Sequence, residues 1–388
     1  MDAAATTPRE VLARLVAFPT VSRDSNLPLI DWVEAWLAAR GIAAHRVWNE
    51  DRTKAGLFAH VGPAVEGGVI LSGHTDVVPV DGQDWTTDPW TLTERDGRLY
   101  GRGTADMKGF DALALWAMGQ AAGRELKRPL QIALSYDEEV GCTGAPPLIA
   151  AMREGLPRAG AAIIGEPTTM QVVTGHKGGL AWRVHVKGHE VHSSILHTGV
   201  SAILDAARVV DLANRINAEN AAGTPGPVAA LFDPPWTSAH VGMISGGTAH
   251  NITAGDCRFG FDFRVVPGED PADWAARFRA EVARVEAGMK AVRPEAGIAL
   301  QPFFELPPLR PESDGPAEAL ARRLTGDNGT HVVSYGTEAS HFQAAGYSAV
   351  VCGPGDIAQA HQADEFIEVS ELAAGEAFLR RLLDELAA

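Results

Sequence analysis

The sequence predicts an α/β protein with a mostly parallel sheet covered by helices and an inserted βαββαβ domain. Three observations carry this. Strand-like and helix-like signals alternate from the N-terminus to about Pro167, as in a parallel sheet with helices on both faces. From about Lys177 the texture changes: Leu180-Ala-Trp-Arg-Val-His-Val186 alternates apolar and polar residues with period two, as a half-buried strand does. After Pro302 to Pro311 the first texture returns.

Each element has a local reason. Thr7-Pro8-Arg9-Glu10 opens a helix with a capping threonine and a proline at the first helical position. Val11, Leu12, Leu15 and Val16 follow at helical spacing, and Pro19 ends the pattern. A second amphipathic helix fits residues 28–40, closed by Gly41. The runs at 69–73, 130–136 and 161–165 read as buried strands, and 110–122 as a helix opened by a glycine-rich turn. Beyond the alternating strand come a helix over 200–216, a proline-rich connection through Pro235 and strands at 240–245 and 256–266. A helix over 270–291 and a strand at 298–304 complete the βαββαβ order, a sheet with two helices on it. In the tail, 316–324 and 370–386 read as helices, and 332–334 and 348–352 as strands. The expected division is a catalytic, metal-binding domain of residues 1–176 and 307–388, with residues 177–306 inserted as a lid or dimerisation domain.

With 388 residues, 49 acidic against 33 basic, the chain carries a formal net charge of −16. A surface this acidic repels phosphate backbones and argues against a nucleic-acid partner. Cys142, Cys257 and Cys352 are odd in number, far apart and form no CxxC, which predicts reduced thiols in a cytoplasmic protein. Residues 1–5 lack the basic and apolar segments of a secretory signal. No run approaches the ~20 apolar residues that span a bilayer, so no membrane association is expected.

Four strand-like runs end in residues that bind hard or borderline metal ions. The first stops at His74, with Asp76 two residues on; the second at Asp137-Glu138-Glu139; the third at Glu166; the fourth enters a glycine-rich loop that reaches His361. In open α/β sheets ligands bind beyond the carboxyl ends of the strands, where such residues converge. Gly101-Arg-Gly-Thr-Ala-Asp-Met-Lys-Gly109 has no Gly-Lys-Ser/Thr ending, so it reads as a turn presenting Asp106 to a metal rather than as a phosphate cradle. Asp76 is placed to orient His74 by accepting its other ring N–H. On an extended segment neighbouring side chains point to opposite sides, which leaves one glutamate of Glu138-Glu139 to hold metal and the other to act as a base. His74, Asp106, Glu139, Glu166 and His361 exceed what one catalytic zinc takes from protein, and contain no thiolate as a structural zinc site would. Two ions bridged by one carboxylate fit them better.

Ser-Gly-His-Thr-Asp, Gly-Arg-Gly-Thr-Ala-Asp-Met-Lys-Gly, Asp-Glu-Glu-Val-Gly and Gly-Glu-Pro-Thr occur here in order. The chain thereby resembles the dinuclear zinc amidohydrolases: aminoacylases, acetylornithine deacetylases, succinyl-diaminopimelate desuccinylases and glutamate carboxypeptidases. The resemblance implies two Zn²⁺ per subunit, or Co²⁺ or Mn²⁺ in their place. His74 and Glu166 would hold one ion, Glu139 and His361 the other, with Asp106 bridging. It makes Glu138 the general acid/base and Asp76 the residue that orients His74. It also implies a homodimer through the inserted domain, with His192 lent to the partner's active site. Asn251, Arg264 and Thr337 match substrate-binding positions, Arg264 facing the substrate carboxylate. Tyr335-Gly-Thr-Glu-Ala339 and Val351 to His361 look most like acetylornithine deacetylases. The expected reaction is hydrolysis of N2-acetyl-L-ornithine to L-ornithine and acetate, in arginine biosynthesis. The alternatives are a succinyl-diaminopimelate desuccinylase, a broad N-acyl-amino-acid deacylase, or a non-catalytic amino-acid or metal binder on the same fold.

Overall fold

Thr7 begins the first helix, Pro8–Val16, with a reciprocal cap: its hydroxyl accepts the Glu10 N–H, and the Glu10 carboxylate accepts the Thr7 N–H at 2.8 Å. The computed structural model describes residues 6–388, so the reading of residues 1–5 lies outside it. The chain divides into two compact units, residues 1–175, 311–331 and 337–388 in one, and 176–310 with 332–336 in the other.

In the first unit the main sheet runs Ala44–Trp48, Ala55–Val61, Leu130–Ser135, Gly68–His74, Ala159–Pro167, Ala349–Gly353, Val173–His176. The four strands from Leu130–Ser135 to Ala349–Gly353 are parallel, and the flanking pairings are antiparallel. Gly68–His74, Leu130–Ser135 and Ala349–Gly353 are buried at every position, as parallel strands covered on both faces must be. The helix Lys108–Ala121 is buried nearly all round, which makes it a core element rather than a surface one. Its close fit needs glycine at the strand ends. A Cβ on Gly73 would lie 2.1 Å from Asp111 Oδ1, and one on Gly165 1.9 Å from the Phe110 ring. Both glycines directly precede a candidate ligand, His74 and Glu166.

The second unit is an antiparallel sheet ordered Ser238–His240, Asp256–Val265, Gly178–Lys187, Gly297–Leu306, with Ile244–Gly246 also paired to Asp256–Val265. Helices Ala202–Ala222 and Pro271–Val292 bury one face, so burial alternates along the two central strands. Trp182 and Phe261 pack on Phe278 with ring centroids 4.8 and 4.5 Å apart. One stretch of sheet edge is closed off: the Asn217 amide both donates to and accepts from the Ala239 backbone, at 2.8 and 2.9 Å. At the other edge Pro302 and an irregularity between Pro302 and Phe304 interrupt the ladder.

Two readings of the sequence need correction. Residues 332–336, expected in the catalytic domain, belong to the second unit. Lys177 N–H donates to the Val333 carbonyl at 3.3 Å and the Ser334 hydroxyl to the Asp233 carbonyl at 2.7 Å. The single strand expected at 240–245 is two short ones, Ser238–His240 and Ile244–Gly246, both on Asp256–Val265.

Candidate metal centre

His74 ends its strand opposite Ser135, and its Nδ1 lies 2.9 Å from the Asp76 backbone carbonyl. A carbonyl only accepts, so Nδ1 carries a proton and Nε2 faces the site. The Asp76 carboxylate is further away, 3.6 Å from Nδ1. It instead accepts from the Ser22 hydroxyl at 2.7 Å and from the N–H groups of Glu138 and Glu139 at 3.1 and 3.4 Å. Asp76 therefore orients His74 through its backbone and the carboxylate loop through its side chain.

That loop is a turn rather than the extended segment expected. Asp137 has φ 57°, and the Gly141 and Cys142 N–H groups both donate to the Glu138 carbonyl at 3.0 Å. Asp137 is drawn aside by Lys54. Glu138 accepts the Cys142 thiol at 3.3 Å, and Glu139 lies 3.0 Å from His361 Nε2. The turn, rather than strand alternation, separates the three carboxylates.

The remaining residues converge on Asp106. Its Oδ1 is 2.9 Å from His74 Nε2 and its Oδ2 3.2 Å from His361 Nε2, while Glu166 lies 3.7 Å from His74 Nε2. Two groups have ligand atoms within 4.8 Å of one another: His74, Asp106 and Glu139, and His74, Glu138 and Glu166. Both imidazoles face carboxylates within hydrogen-bond distance, and both are raised in pKa. For His361, hydrogen bonds to Asp106 and Glu139 push it up to about 10. For His74, burial works the other way but Asp106 and Asp76 outweigh it. Burial pushes Glu138 up to about 8 and Glu139 up to about 7, and holds Glu166 well above the usual range. Burial also opposes ionisation of Asp106, yet the two histidines hold it below the ordinary carboxylate value. Glu139 Oε1 is buried without a hydrogen-bond partner. Clustered carboxylates with an orphaned oxygen are what a divalent cation would stabilise, and the nitrogen and oxygen donors suit one.

The other expected residues are not among these ligand atoms. His192 and Asn251 are exposed neighbours on the second unit, where Ser193 N–H donates to the Asn251 carbonyl at 2.9 Å. Arg264 lies on Asp256–Val265, 3.9 Å from Asp262, and lines an open pocket with Trp236, Ser238 and His240. Thr337, expected to touch substrate, is 1% exposed and its hydroxyl accepts the Ala339 N–H at 3.2 Å, the task of a helix-start residue.

Over residues 70–385 the sequence matches the description of peptidase family M20/M25/M40, and this span holds every residue of the cluster. The chain belongs to that family. With the family comes the enzyme class, a metal-dependent amidohydrolase. Among curated relatives, an acetylornithine deacetylase of Myxococcus xanthus is 39% identical, covering 96% of this chain and 96% of its own. One of Proteus mirabilis is 36% identical, covering 93% and 92%. Among solved structures, an M20 family metallo-carboxypeptidase of Sulfolobus solfataricus superposes with a TM-score of 0.79 at 17% identity, over 98% of this chain and 99% of its own. A dinuclear metal-binding M20 peptidase of Bacillus subtilis has a TM-score of 0.67 at 15% identity, over 100% and 99%. At such identities the last two share the fold with this M20 chain. No helix among the described residues is long and apolar enough to cross a membrane.

Sequence reasoning missed three buried groups of the M20 site. Glu338 is bonded to Ser135 and pushed up to about 8 by burial. Asp111 Oδ1 is buried and unpartnered beneath Gly73. Glu365 grips the Asp106 turn. The signal for the last was present: an arginine between two glycines, Arg102, needs an anion if it is buried.

Proposed function

We propose that the chain hydrolyses N2-acetyl-L-ornithine to L-ornithine and acetate, as part of arginine biosynthesis. The substrate rests on the relatives named for that activity over nearly the whole chain. The reaction type rests on one observation: Glu138 lies among the donors yet has no imidazole partner, while Glu139 is paired with His361.

His74 and Glu166 would hold one ion, Glu139 and His361 a second, and Asp106 would present one oxygen to each. The histidines favour zinc, and the oxygen-rich set also suits cobalt or manganese. Two such ions, when bound, lower the pKa of water from 15.7 towards about 7 and polarise the amide carbonyl. Glu138 takes the proton of the attacking water at its carboxylate and delivers it to the leaving amine nitrogen. Its raised pKa, set first by burial, suits both tasks near neutrality. His192 Nδ1 accepts the Ser194 N–H at 3.3 Å, so the ring proton sits on Nε2, a donor suited to the developing oxyanion. Arg264 offers a planar donor for the substrate carboxylate, with Asn251 as a further polar contact.

A homodimer through the second unit is supported by Ile244–Gly246, exposed throughout, next to Met243 at 80% exposure. Three free, buried cysteines support a reducing, cytoplasmic setting.

The test is turnover of the metal-reconstituted protein on acetylornithine, succinyl-diaminopimelate and acetylmethionine side by side. Preference for acetylornithine is expected, preference for another sinks the substrate, and no hydrolysis of any sinks the reaction. Glu138→Gln should keep its metal and lose about 10²–10⁴ in turnover. Loss of metal in that variant would instead make Glu138 a ligand.

A further inference from the structure

Glu365 lies beyond His361 at the end of the same loop and is 1% exposed. Its Oε1 accepts the N–H groups of Ala105 and Asp106 at 2.9 and 3.1 Å. Its Oε2 accepts the Gly103 N–H at 3.0 Å and Arg102 Nη1 at 2.6 Å. One buried carboxylate thus takes three backbone donors of the turn that ends at Asp106, and a guanidinium that is equally buried. Its own carbonyl accepts the Gly101 N–H at 3.0 Å, which fastens the start of that turn as well.

Arg102 extends the clamp. Nη1 also reaches the Gln362 carbonyl at 3.3 Å, and Nη2 donates to Gln83 Oε1 at 2.5 Å. Gln83 in turn donates to the His361 carbonyl at 2.8 Å. The backbone of His361, at φ 64°, and the turn carrying Asp106 are thereby tied to one buried ion pair. His74 pairs with Ser135 in the sheet ladder and Glu166 lies on the strand Ala159–Pro167, so neither backbone needs such a tie.

We propose that Glu365, through Arg102, is a positioning residue that sets Asp106 against His361 and so fixes the second metal position without ligating it. The proposal rests on the two-ion reading above. A charge buried this deeply and bonded only to the supports of two ligands has no other evident use in the site, and neither oxygen is left for a metal. The effect is unequal: the ion between Glu139 and His361 relies on the clamp for both Asp106 and His361, and the ion between His74 and Glu166 for Asp106 alone.

The experiment is Co²⁺ titration of the metal-free protein, followed by calorimetry and by visible absorption, with kcat and KM measured on the loaded forms. Glu365→Gln keeps its bulk but turns a donor towards the N–H groups. It is expected to bind the second ion about 10–100-fold more weakly, the usual cost of losing a ligand's support, and the first with a clearly smaller loss. The absorption of the second step should change, and kcat should fall with KM held. Arg102→Met/Glu365→Met removes both charges, which guards against the unfolding that an unpaired buried arginine invites; its second ion should be weakened alike. Glu368→Gln, at an exposed pair with Arg98 in the same segment, should leave both steps unchanged. Undiminished second-ion affinity in Glu365→Gln, equal weakening of both ions, or recovery in the double variant would overturn the proposal. If the unaltered protein takes up fewer than two ions, the two-ion reading itself fails, whatever Glu365 does.

Discussion

His74 stands at the end of a strand buried at every position, with 1% of its side chain exposed, whereas His361 stands on a loop with 54% exposed and φ 64°. Both face Asp106, one through each carboxylate oxygen. The strand-held side is built by the core: its geometry follows from sheet register and from the packing of Gly73 against Asp111. The loop-held side has no ladder beneath it and relies on side-chain tethers that reach across about 260 residues of sequence, as between Gly103 and Glu365. Fixed register makes a position that exists before the ion arrives. Tethered loops make one whose affinity can be tuned by residues that never touch the ion.

Replacing the two histidines separately is the strongest way to break this comparison. His74→Ala is expected to lose the ion it would share with Glu166, to weaken the other through Asp106, which lies 2.9 Å from His74 Nε2, and to abolish turnover. His361→Ala is expected to retain one ion per chain. Metal analysis after dialysis checks both, and retention of two ions by His74→Ala would remove the asymmetry.

The two units offer a second contrast. Phe278→Ala opens the aromatic core of the second unit and should cost about 3–5 kcal/mol there. Since that core is the second unit's own, first-unit Co²⁺ uptake should be unchanged. A calorimetric trace with the loss confined to one transition would agree, and a shifted metal isotherm would not.

The histidines and glutamates also predict how pH acts on the metal-free protein. Burial holds Glu138 and Glu139 up to about 8 and about 7, above the ordinary 4.5, and partnered His361 up to about 10, above 6.5. The folded state therefore binds more protons than the unfolded one between these values, and stability falls as pH rises. The melting temperature of the metal-free protein should drop between pH 5 and 8, and the gap to the loaded protein should widen, since the ions displace those protons. A constant gap would mean the cluster is not where the ions sit.

The smallest effect concerns self-association. Met243→Lys should weaken a dimer built on the exposed edge at Ile244–Gly246, read as a concentration-dependent mass by light scattering, and leave monomer folding intact. An unchanged mass would move the interface elsewhere.

Much of this was legible in the sequence. His74, Glu166 and the Glu138-Glu139 pair follow buried runs whose length and apolarity mark them as strands, and Asp106 sits in a motif with its own local shape. What escaped notice is not marked at its own position in the sequence. A glutamate four residues past a loop histidine reads as solvated, and only the fold brings Glu365 under Gly103. The left-handed backbone of Asp137 turned an expected extended segment into a turn, with the same separation of carboxylates by a different cause. Thr337 matched a motif, and what the motif did not convey is that its hydroxyl also accepts the Ala339 N–H. Residues 332–336 were assigned by continuity of texture, while the hydrogen bonds of Val333 and Ser334 lie with the second unit.

The Asn217 amide, set against Ala239 like a rung from a missing strand, has a consequence for how copies of this chain can meet. With that stretch sealed, Ile244–Gly246, exposed throughout, is an open run of backbone on the same margin among the described residues. A short open margin favours pairing with a second copy about a two-fold axis over an extended ribbon. Asn217→Ala frees the Ala239 backbone on that margin, and the lengthened open run is expected to raise self-association.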